Sequence, residues 1–212
     1  MNVLMIIILG EKMKKIPIKK LTTLEFKKIK RETIIFTKDT HKWCQRPYRD
    51  KKRCPNYNKN PLCPSDGNKN NIPFFNDVVL NYSFFYLVYA DFDFYKYIQN
   101  RSALSPDRTK NQIKCVLYWQ NSVKALLKKR IEKIYRSNRN SFYVIGCGSG
   151  FNLSFQKKVY SMEAVGINVF STMKLNGVAL EINPIHSIRL ICLLCSKKEL
   201  TPIIQTQLTS FR

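Results

Sequence analysis

Three cysteines stand close together in a part of the chain that offers them little apolar core. They lie in WCQRPYRDKKRCPNYNKNPLCP over 43–64, separated by nine and then eight residues: Cys44, Cys54 and Cys63. The prolines of this segment fix φ and remove backbone donors, and its Asn, Lys and Arg side chains bury little surface, so regular structure is not expected. Thiolates converging on zinc or an iron–sulfur cluster would order the loop, because metal-binding energy then serves as folding energy. The segment therefore predicts a metal site, although its spacing matches no standard zinc-finger or ferredoxin pattern, and three free surface thiols are the alternative.

A glycine-rich turn supplies a fourth cysteine. The apolar run SFYVI over 141–145 predicts a short strand that leads into the sequence GCGSGF. Backbone amides in such a turn can approach a phosphate or a cofactor closely. The candidate cofactor-binding residues of the turn are Gly146, Gly148, Ser149 and Gly150. Cys147, between two glycines, is predicted to be the fourth ligand, held where a cluster can come close to the backbone.

The same turn has a superficial likeness to the first motif of S-adenosylmethionine methyltransferases. The strand before it lacks the usual acidic residue, and Asn168 stands where the second motif has an acid. Too few residues follow Gly150 for the rest of that sheet, so we reject this interpretation. Ser–His–Asp, P-loop and HExxH motifs are missing from the sequence as well, which leaves hydrolase and nucleotide-hydrolysing functions without support.

Glu163 has two interpretations. It belongs to the string SMEAVGINVFSTM over 161–173, in which Ser161 or Asn168 can cap the start of a helix. An acidic residue is favourable in a first helical turn, so Glu163 is either a capping group or a group near the metal. In the second case it joins the candidate cofactor-binding residues.

The remaining cysteines are predicted to be core thiols. Cys192 and Cys195 form a C-x-x-C sequence, but residues three apart on an extended strand face opposite sides. Cys115 receives the same interpretation, because buried cysteine behaves as a small hydrophobe. Of the two histidines, His41 and His186, His41 is the better candidate for a further metal ligand, because it lies three residues before Cys44.

Apolar runs indicate the elements that must position these residues. FFYLVYADFD over Phe84–Asp93 predicts a buried central strand. Asp91 and Asp93 at its carboxyl end are predicted to cap the next helix, and metal binding is the alternative. A helix over 168–176 would end at Gly177. Other predicted elements are strands over 33–37, 178–182 and 188–195 and helices over 94–99 and 113–134.

The longest predicted helix is strongly cationic. Apolar residues follow the 3.6-residue period on one face, and the other face carries Lys124, Lys128, Lys129, Arg130 and Lys133. Aromatic residues are interleaved with this basic stretch: Tyr118, Trp119 and Tyr135. Basic and aromatic residues together can follow the backbone of a nucleic-acid strand and stack on its bases. The alternative is that the aromatic residues belong to the core and the lysines are only solvated.

Composition sets the class of partner and compartment. Lys and Arg number 37 against 14 Asp and Glu, a net charge of +23, which implies nucleic acid, a ribonucleoprotein or another anionic partner. The alternative explanation of this positive charge is a coding bias toward Lys, Asn and Ile. Seven cysteines, an odd number, favour a reducing cytoplasmic compartment over a disulfide framework. The apolar segment 3–9 is far shorter than the roughly 20 residues that cross a bilayer, so no membrane span is predicted.

The cysteines that end in Cys-Pro, the glycine–cysteine turn and the 161–173 string together resemble a family of small cysteine-rich prokaryotic proteins known only as predicted metal-binding proteins. The resemblance extends from about Trp43 to Cys195 and is most specific in the Ser-Met-Glu-Ala-x-Gly-Ile string. Family members typically carry a further cysteine cluster before that string, where this chain has Cys147 alone. The resemblance implies a metal but supplies no reaction.

We therefore predict a single α/β domain with a mixed central sheet, flanking helices and a cysteine-rich metal-binding loop. The domain covers 31–200, after a basic extension over 1–30 and before a tail over 201–212. Four thiolates from the loop and the turn would hold a 4Fe-4S cluster, with zinc as the second expectation. Two functions stay open: a metalloprotein of unassigned activity, redox chemistry included, or a basic RNA- or DNA-binding protein of a larger assembly whose metal is structural.

Overall fold

The computed structural model describes residues 14–47, 52–138 and 142–200. Its strands are β1 Thr22–Ile29, β2 Phe84–Asp93, β3 Phe142–Ile145 and β4 Ser187–Ser196. Its helices are α1 Thr40–Trp43, α2 Asn76–Val79, α3 Phe94–Leu104, α4 Lys110–Ile113, α5 Gln120–Ser137 and α6 Val169–Leu175. The predicted apolar segment 3–9 and the tail over 201–212 lie outside the described residues.

The strands form one sheet in the order β1-β2-β4-β3. Every pairing in this sheet is antiparallel, whereas the sequence predicts mixed strand directions. The α/β class with helices flanking a central sheet is confirmed.

The two central strands are apolar throughout because both faces of the sheet are covered. Along β2, Tyr86 and Phe92 enter the core on one face while Phe85 and Leu87 enter the core on the other. Successive strand residues point to opposite faces, so a strand covered on both sides needs no polar alternation. This coverage produces the continuous apolar pattern in an antiparallel sheet.

Helix α5 covers the first face. Its residues Val123, Leu127, Ile131 and Ile134 are almost completely buried, and Trp119 stacks on Phe92 with ring centroids 5.1 Å apart. The second face is covered by the segment that contains α6, by α2 and by residues 29–36. The glycine-rich turn follows β3 and packs Phe151 into the α5 side.

Three predictions about strands differ from the structure. Residues 22–29 belong to the sheet as β1, although the sequence places them in a basic extension. Residues 33–37 make a single bridge, Phe36 to Ile167, because β1 already occupies the sheet edge beside β2. Residues 178–182 form no strand.

Within the described ranges, no helix combines the length and apolar character needed to cross a bilayer.

Candidate metal centre

Backbone hydrogen bonds bring two of the loop cysteines side by side. The Cys54 amide donates to the Cys44 carbonyl at 3.0 Å, which closes the chain across the residues between them. The Cys63 amide donates to the Asn60 carbonyl at 2.9 Å. Turns, without regular helix or strand, make up residues 52–64, in agreement with the proline-rich sequence.

Polar side chains fix the shape of the loop. The Tyr57 hydroxyl donates to Asp66 Oδ1 at 2.9 Å and accepts from the Gln45 amide at 2.8 Å. The Asn70 amide donates to the carbonyls of Cys63 at 2.7 Å and Asn60 at 3.1 Å. These bonds satisfy backbone groups that a loop without regular structure leaves unpaired.

The loop docks on the glycine-rich turn. The Asn60 side-chain amide donates to the Ser149 carbonyl at 3.3 Å. Gly150 has φ +71°, and a Cβ added there would lie 2.5 Å from the Val159 carbonyl oxygen and 3.0 Å from Leu62 Cδ1. Glycine is therefore required at Gly150 both by its backbone conformation and by the close approach of the loop.

Helix α5 contributes a lysine to this junction. Lys124 Nζ donates to the Gly150 carbonyl at 2.8 Å, and the same ammonium lies 5.1 Å from the centroid of the Phe151 ring. Lys128 Nζ lies 5.6 Å from the same centroid. Part of the cationic face of α5 thus holds the turn, and Arg130, which the sequence places on that face, is buried.

The start of the loop docks on the 161–173 segment. His41 Nε2 lies 2.5 Å from the Ala164 carbonyl oxygen, and the Trp43 ring meets the Phe170 ring edge-on at 6.3 Å. These contacts hold the start of the loop, next to Cys44, on the segment that contains Glu163. His41, considered above as an outside ligand, is engaged with the backbone of this segment.

Glu163 lies in a tight turn before α6. The helix begins at Val169 and is capped by Asn168, whose Oδ1 accepts from the Ser171 amide at 3.0 Å. The Ser161 hydroxyl accepts from the Ala164 amide at 3.1 Å and so stabilises the turn itself. Glu163 therefore does not cap α6. Its side chain is half-buried, and burial raises the pKa of its carboxyl group.

The charge of this carboxylate acts on thiols from both the loop and the turn. Burial, the neighbouring Cys54 and Cys63, and Glu163 raise the pKa of Cys44 to about 12. Burial, Cys54 and Glu163 raise the pKa of Cys63 to about 11, against the opposing effect of Lys124. These thiols ionise with difficulty unless a cation balances them.

Cys147 has a partner that the sequence does not predict. It packs against the apolar core that contains Cys192, and the Cys192 thiol, together with Lys124, lowers the pKa of Cys147. Burial and the negative charge of Cys147 raise the pKa of Cys192. Cys192 and Cys195 are fully buried core thiols on opposite faces of the sheet. Cys115 is only half-buried.

The structure thus groups Cys44, Cys54 and Cys63 in the loop and packs Cys147 against the core that contains Cys192. Glu163 and Lys124 act on thiols of both sets. Among the described residues, no three Cys, His, Asp or Glu side chains lie close enough to hold one ion as they stand. The donors have the soft-ligand chemistry that zinc and iron–sulfur clusters require, and they share one electrostatic environment. The four-thiolate set remains a prediction.

Two amides of the glycine-rich turn are already engaged. The Gly146 amide donates to the Tyr160 carbonyl at 2.7 Å, and the Gly150 amide donates to the Cys147 carbonyl at 3.3 Å. Gly148 is exposed, and Ser149 is half-buried with its carbonyl bonded to the loop. A cofactor role for this turn stays a prediction.

Comparison with known proteins gives one match. Residues 27–195 match the sequence profile of a family described as "Predicted metal-binding protein (DUF2284)". The searches of curated proteins and of solved structures return no match.

Proposed function

Because this chain belongs to that family of predicted metal-binding proteins, we propose that it binds a 4Fe-4S cluster through the thiolates of Cys44, Cys54, Cys63 and Cys147, with zinc as the alternative ion. A bound cluster would supply one-electron redox chemistry. The free state of all the cysteines fits a reducing compartment such as the cytoplasm.

The observation that carries this proposal is the position of Glu163. Its carboxylate acts on Cys44 and Cys63 from the loop and also on Cys147 from the turn. Three thiols that lie far apart in the chain therefore share the electrostatic influence of one half-buried acid. Such a collection of anionic donors costs free energy in the absence of a compensating cation, which is a reason for a cation to bind there.

Binding would close the loop onto the turn. The loop is held by Asn60, Leu62 and the contacts of His41 and Trp43, while its cysteines stand in turns without regular structure. Metal-binding energy can draw thiolates together in such a segment at little cost in broken secondary structure. Lys124 would remain beside the site as a counter-charge for the thiolates.

Single Cys→Ser variants test the ligand set. We expect Cys54→Ser, Cys63→Ser and Cys147→Ser to lose most bound metal, since serine is a poor ligand for either a cluster or zinc. Cys115→Ser is the control, because Cys115 lies near Tyr97 in another part of the molecule. Metal content is measured in anaerobically purified protein. Retention of metal by Cys63→Ser and by Cys147→Ser would refute the four-thiolate site.

A specific surface feature favours binding of single-stranded nucleic acid as a second candidate function. The Tyr118 ring is half exposed, with the Arg101 guanidinium 3.8 Å and that of Arg108 5.6 Å from its centroid. Leu117 beside it is 79% exposed. We call Arg101, Arg108 and Tyr118 the Arg–Tyr patch. Aromatic rings flanked by guanidinium groups stack on bases and attract phosphates.

The other aromatic residues of the basic stretch are not available for this role. Trp119 is buried against Phe92, and Tyr135 stacks on Phe155 with centroids 3.6 Å apart. The nucleic-acid proposal therefore rests on the Arg–Tyr patch and the net charge of +23. In that case the metal would have a structural role.

A further inference from the structure

Strand β4 continues past the end of β3. Strand β2 pairs with β4 along the whole of Ser187–Ser196, whereas β3 pairs only with residues 193–196. The chain leaves β3 at Gly146, whose amide donates to the Tyr160 carbonyl at 2.7 Å. In the described part of the chain, residues 187–192 of β4 therefore have a neighbouring strand on one side only.

The register fixes which backbone groups of β4 lie on the open side. In an antiparallel ladder, alternate residues of a strand direct their amide and carbonyl to opposite neighbours. The Phe94 amide donates to the His186 carbonyl at 2.9 Å at the end of the β2–β4 register, so the even-numbered residues of β4 face β2. The amides and carbonyls of the odd-numbered Arg189 and Ile191 consequently face the open side.

The amides and carbonyls of Arg189 and Ile191 make no hydrogen bond on this side with any residue that the structure describes. The outer edge of β3 is different, because the Gln156 side chain accepts from the Val144 amide and donates to the Val144 carbonyl, both at 2.8 Å. A side chain thus takes the place of a further strand on β3, while β4 keeps free donors and acceptors. A free edge of this kind is a template for pairing with another chain.

A cleft of about 190 Å³ lies along this edge. It is lined by residues 187–191 of β4, by residues 146–148 of the glycine-rich turn, and by apolar side chains that include Phe170 and Leu180. Phe170 is 44% exposed, and Ile182, in the segment that leads into β4, is 80% exposed. Exposed apolar side chains beside a free strand edge offer contacts to the side chains of an added strand.

The cleft has a negative charge although the whole chain carries +23. Its lining contains two carboxylates, Glu163 and Glu181, and one cation, Arg189. The Arg189 guanidinium is paired with Asp91 at 2.6 Å and is thereby neutralised. Glu181 Oε1 accepts from the Ser187 amide at 3.3 Å, which holds this carboxylate at the open edge of β4. A cationic side chain is the complement of such a cleft.

We propose that residues 187–191 of β4 bind an extended peptide segment of a partner protein, in which Lys or Arg alternates with apolar residues. The peptide lies in line with β3 and exchanges backbone hydrogen bonds with Arg189 and Ile191, and its cationic side chain lies near Glu181. A peptide backbone presents donors and acceptors at the two-residue spacing that this edge requires. The proposal is independent of bound metal, because it uses only the strand edge and the charge of the cleft.

The probe is a short, blocked, fluorescent peptide of alternating valine and lysine, added to the full chain. Two matched forms carry N-methyl groups either on every valine amide or on every lysine amide. Both forms keep the side chains and the charge, but each loses the donors of one edge of the strand. Fluorescence anisotropy measures affinity, and hydrogen exchange followed by NMR measures the protection of single amides of β4.

We expect one methylated form to bind on the order of tenfold more weakly than the parent peptide and the other to bind like it, because only one edge of the peptide faces β4. Binding should slow exchange of the Arg189 and Ile191 amides. The Leu190 amide, which faces β2, is the internal control and should not change. A peptide with glutamate in place of lysine should bind more weakly than the parent.

Two variants of one residue separate the backbone from the side chain. Arg189→Ala loses the ion pair with Asp91 and keeps the amide, whereas Arg189→Pro also loses the amide on the open side, which takes no part in the ladder with β2. We expect Arg189→Ala to keep most of the affinity and Arg189→Pro to lose on the order of tenfold.

Three results would overturn the proposal. They are equal binding by both methylated forms, unchanged exchange at Arg189 and Ile191, and no binding of the parent peptide at millimolar concentration. Protection of these two amides that rises with protein concentration in the absence of peptide would also overturn it, because a second copy of the chain would then cover the edge. The methylated peptides decide the question even if Arg189→Pro fails to fold.

Discussion

At the scale of single residues, Glu163 is the group that joins the loop to the turn. The sequence leaves it between a capping role and a role near the metal, and the structure assigns the capping of α6 to Asn168. Glu163 instead contributes to the raised pKa values of Cys44 and Cys63 and opposes the lowering of the Cys147 pKa. A half-buried carboxylate that acts on several thiols is unfavourable for stability and favourable for cation binding.

Glu163→Gln should therefore have opposite effects on stability and on metal affinity. Burial raises the pKa of Glu163, so its contribution to stability is greatest at low pH and is lost as pH rises through the raised pKa. The variant should raise the Tm of metal-free protein at neutral pH, change it little at acidic pH, and weaken metal binding. Thermal unfolding and metal titration measure the two effects.

The exposed Glu32, in the first turn of a short 3-10 helix after β1, provides the control. Glu32→Gln should change neither the Tm of metal-free protein nor the metal affinity. A Glu163→Gln variant that loses stability at neutral pH and keeps full metal affinity would contradict the role assigned to this carboxylate.

The packing of Cys147 against the core that contains Cys192 could not be predicted from spacing. The sequence correctly indicates that Cys192 is buried and faces away from Cys195, because that follows from strand geometry alone. Its place in the core against which Cys147 packs depends on the register of β3 against β4, which is set by packing across the sheet. Cys192 lies on the face of the sheet against which the turn packs, but this relation can be recognised only once the strand order is known.

At the scale of elements, the predictable parts are those with a strong local pattern. The strand over Phe84–Asp93 has the predicted bounds, and Asp93 caps α3 by accepting from the Lys96 amide at 2.8 Å. Helix α6 and strand β4 also lie where apolar periodicity and the Asn168 cap indicate. Local capping and periodicity need no knowledge of distant contacts.

Strand β1 was missed because its sequence, TTLEFKKI, carries charge at positions that face solvent. It lies at the edge of the sheet, where lysines are expected because they discourage pairing with another chain. The predicted helix over 113–134 is interrupted in the structure. Trp119 turns into the core against Phe92, so α5 begins only at Gln120.

The glycine-rich turn offers a test of how the loop is positioned. Gly150→Ala would combine a positive φ with overlap against Val159 and Leu62, at a cost of roughly 2–5 kcal/mol. We expect a lower free energy of unfolding and faster proteolysis within residues 52–64, because the loop loses its docking surface. Urea unfolding and limited proteolysis measure these changes.

Gly148→Ala is the matched control. Gly148 also has a positive φ, +61°, but nothing lies within 4 Å of the position of an added Cβ. Its cost should be limited to the backbone term, roughly 1–2 kcal/mol. Equal destabilisation by the two variants would show that the loop does not depend on contact with Gly150.

At the scale of the whole molecule, the positive charge is partly structural. Lys124 holds the turn, Arg189 pairs with Asp91 at 2.6 Å, and Lys27 donates to the Asn176 carbonyl. These cations bind groups of the protein itself. The net charge of +23 still leaves a strongly positive surface that favours anionic partners.

The Arg–Tyr patch makes the nucleic-acid function testable. Tyr118→Ala should weaken binding of a single-stranded oligonucleotide by on the order of tenfold, as expected for loss of one base stack. Tyr95→Ala is the control, because both tyrosines are 50% exposed. Fluorescence anisotropy at low and high salt measures the affinity, which should fall steeply with salt. Equal binding by both variants and the wild type would exclude the patch as a nucleic-acid site.

The most direct test of the central claim is the metal content of the full chain purified without oxygen, measured together with its visible absorption spectrum. The four-thiolate site predicts iron with a broad visible band that reduction bleaches, or, for the alternative ion, stoichiometric zinc without colour. In either case Cys115→Ser should match the wild type and Cys63→Ser should not. Wild-type protein that is folded and takes up neither iron nor zinc would contradict the claim.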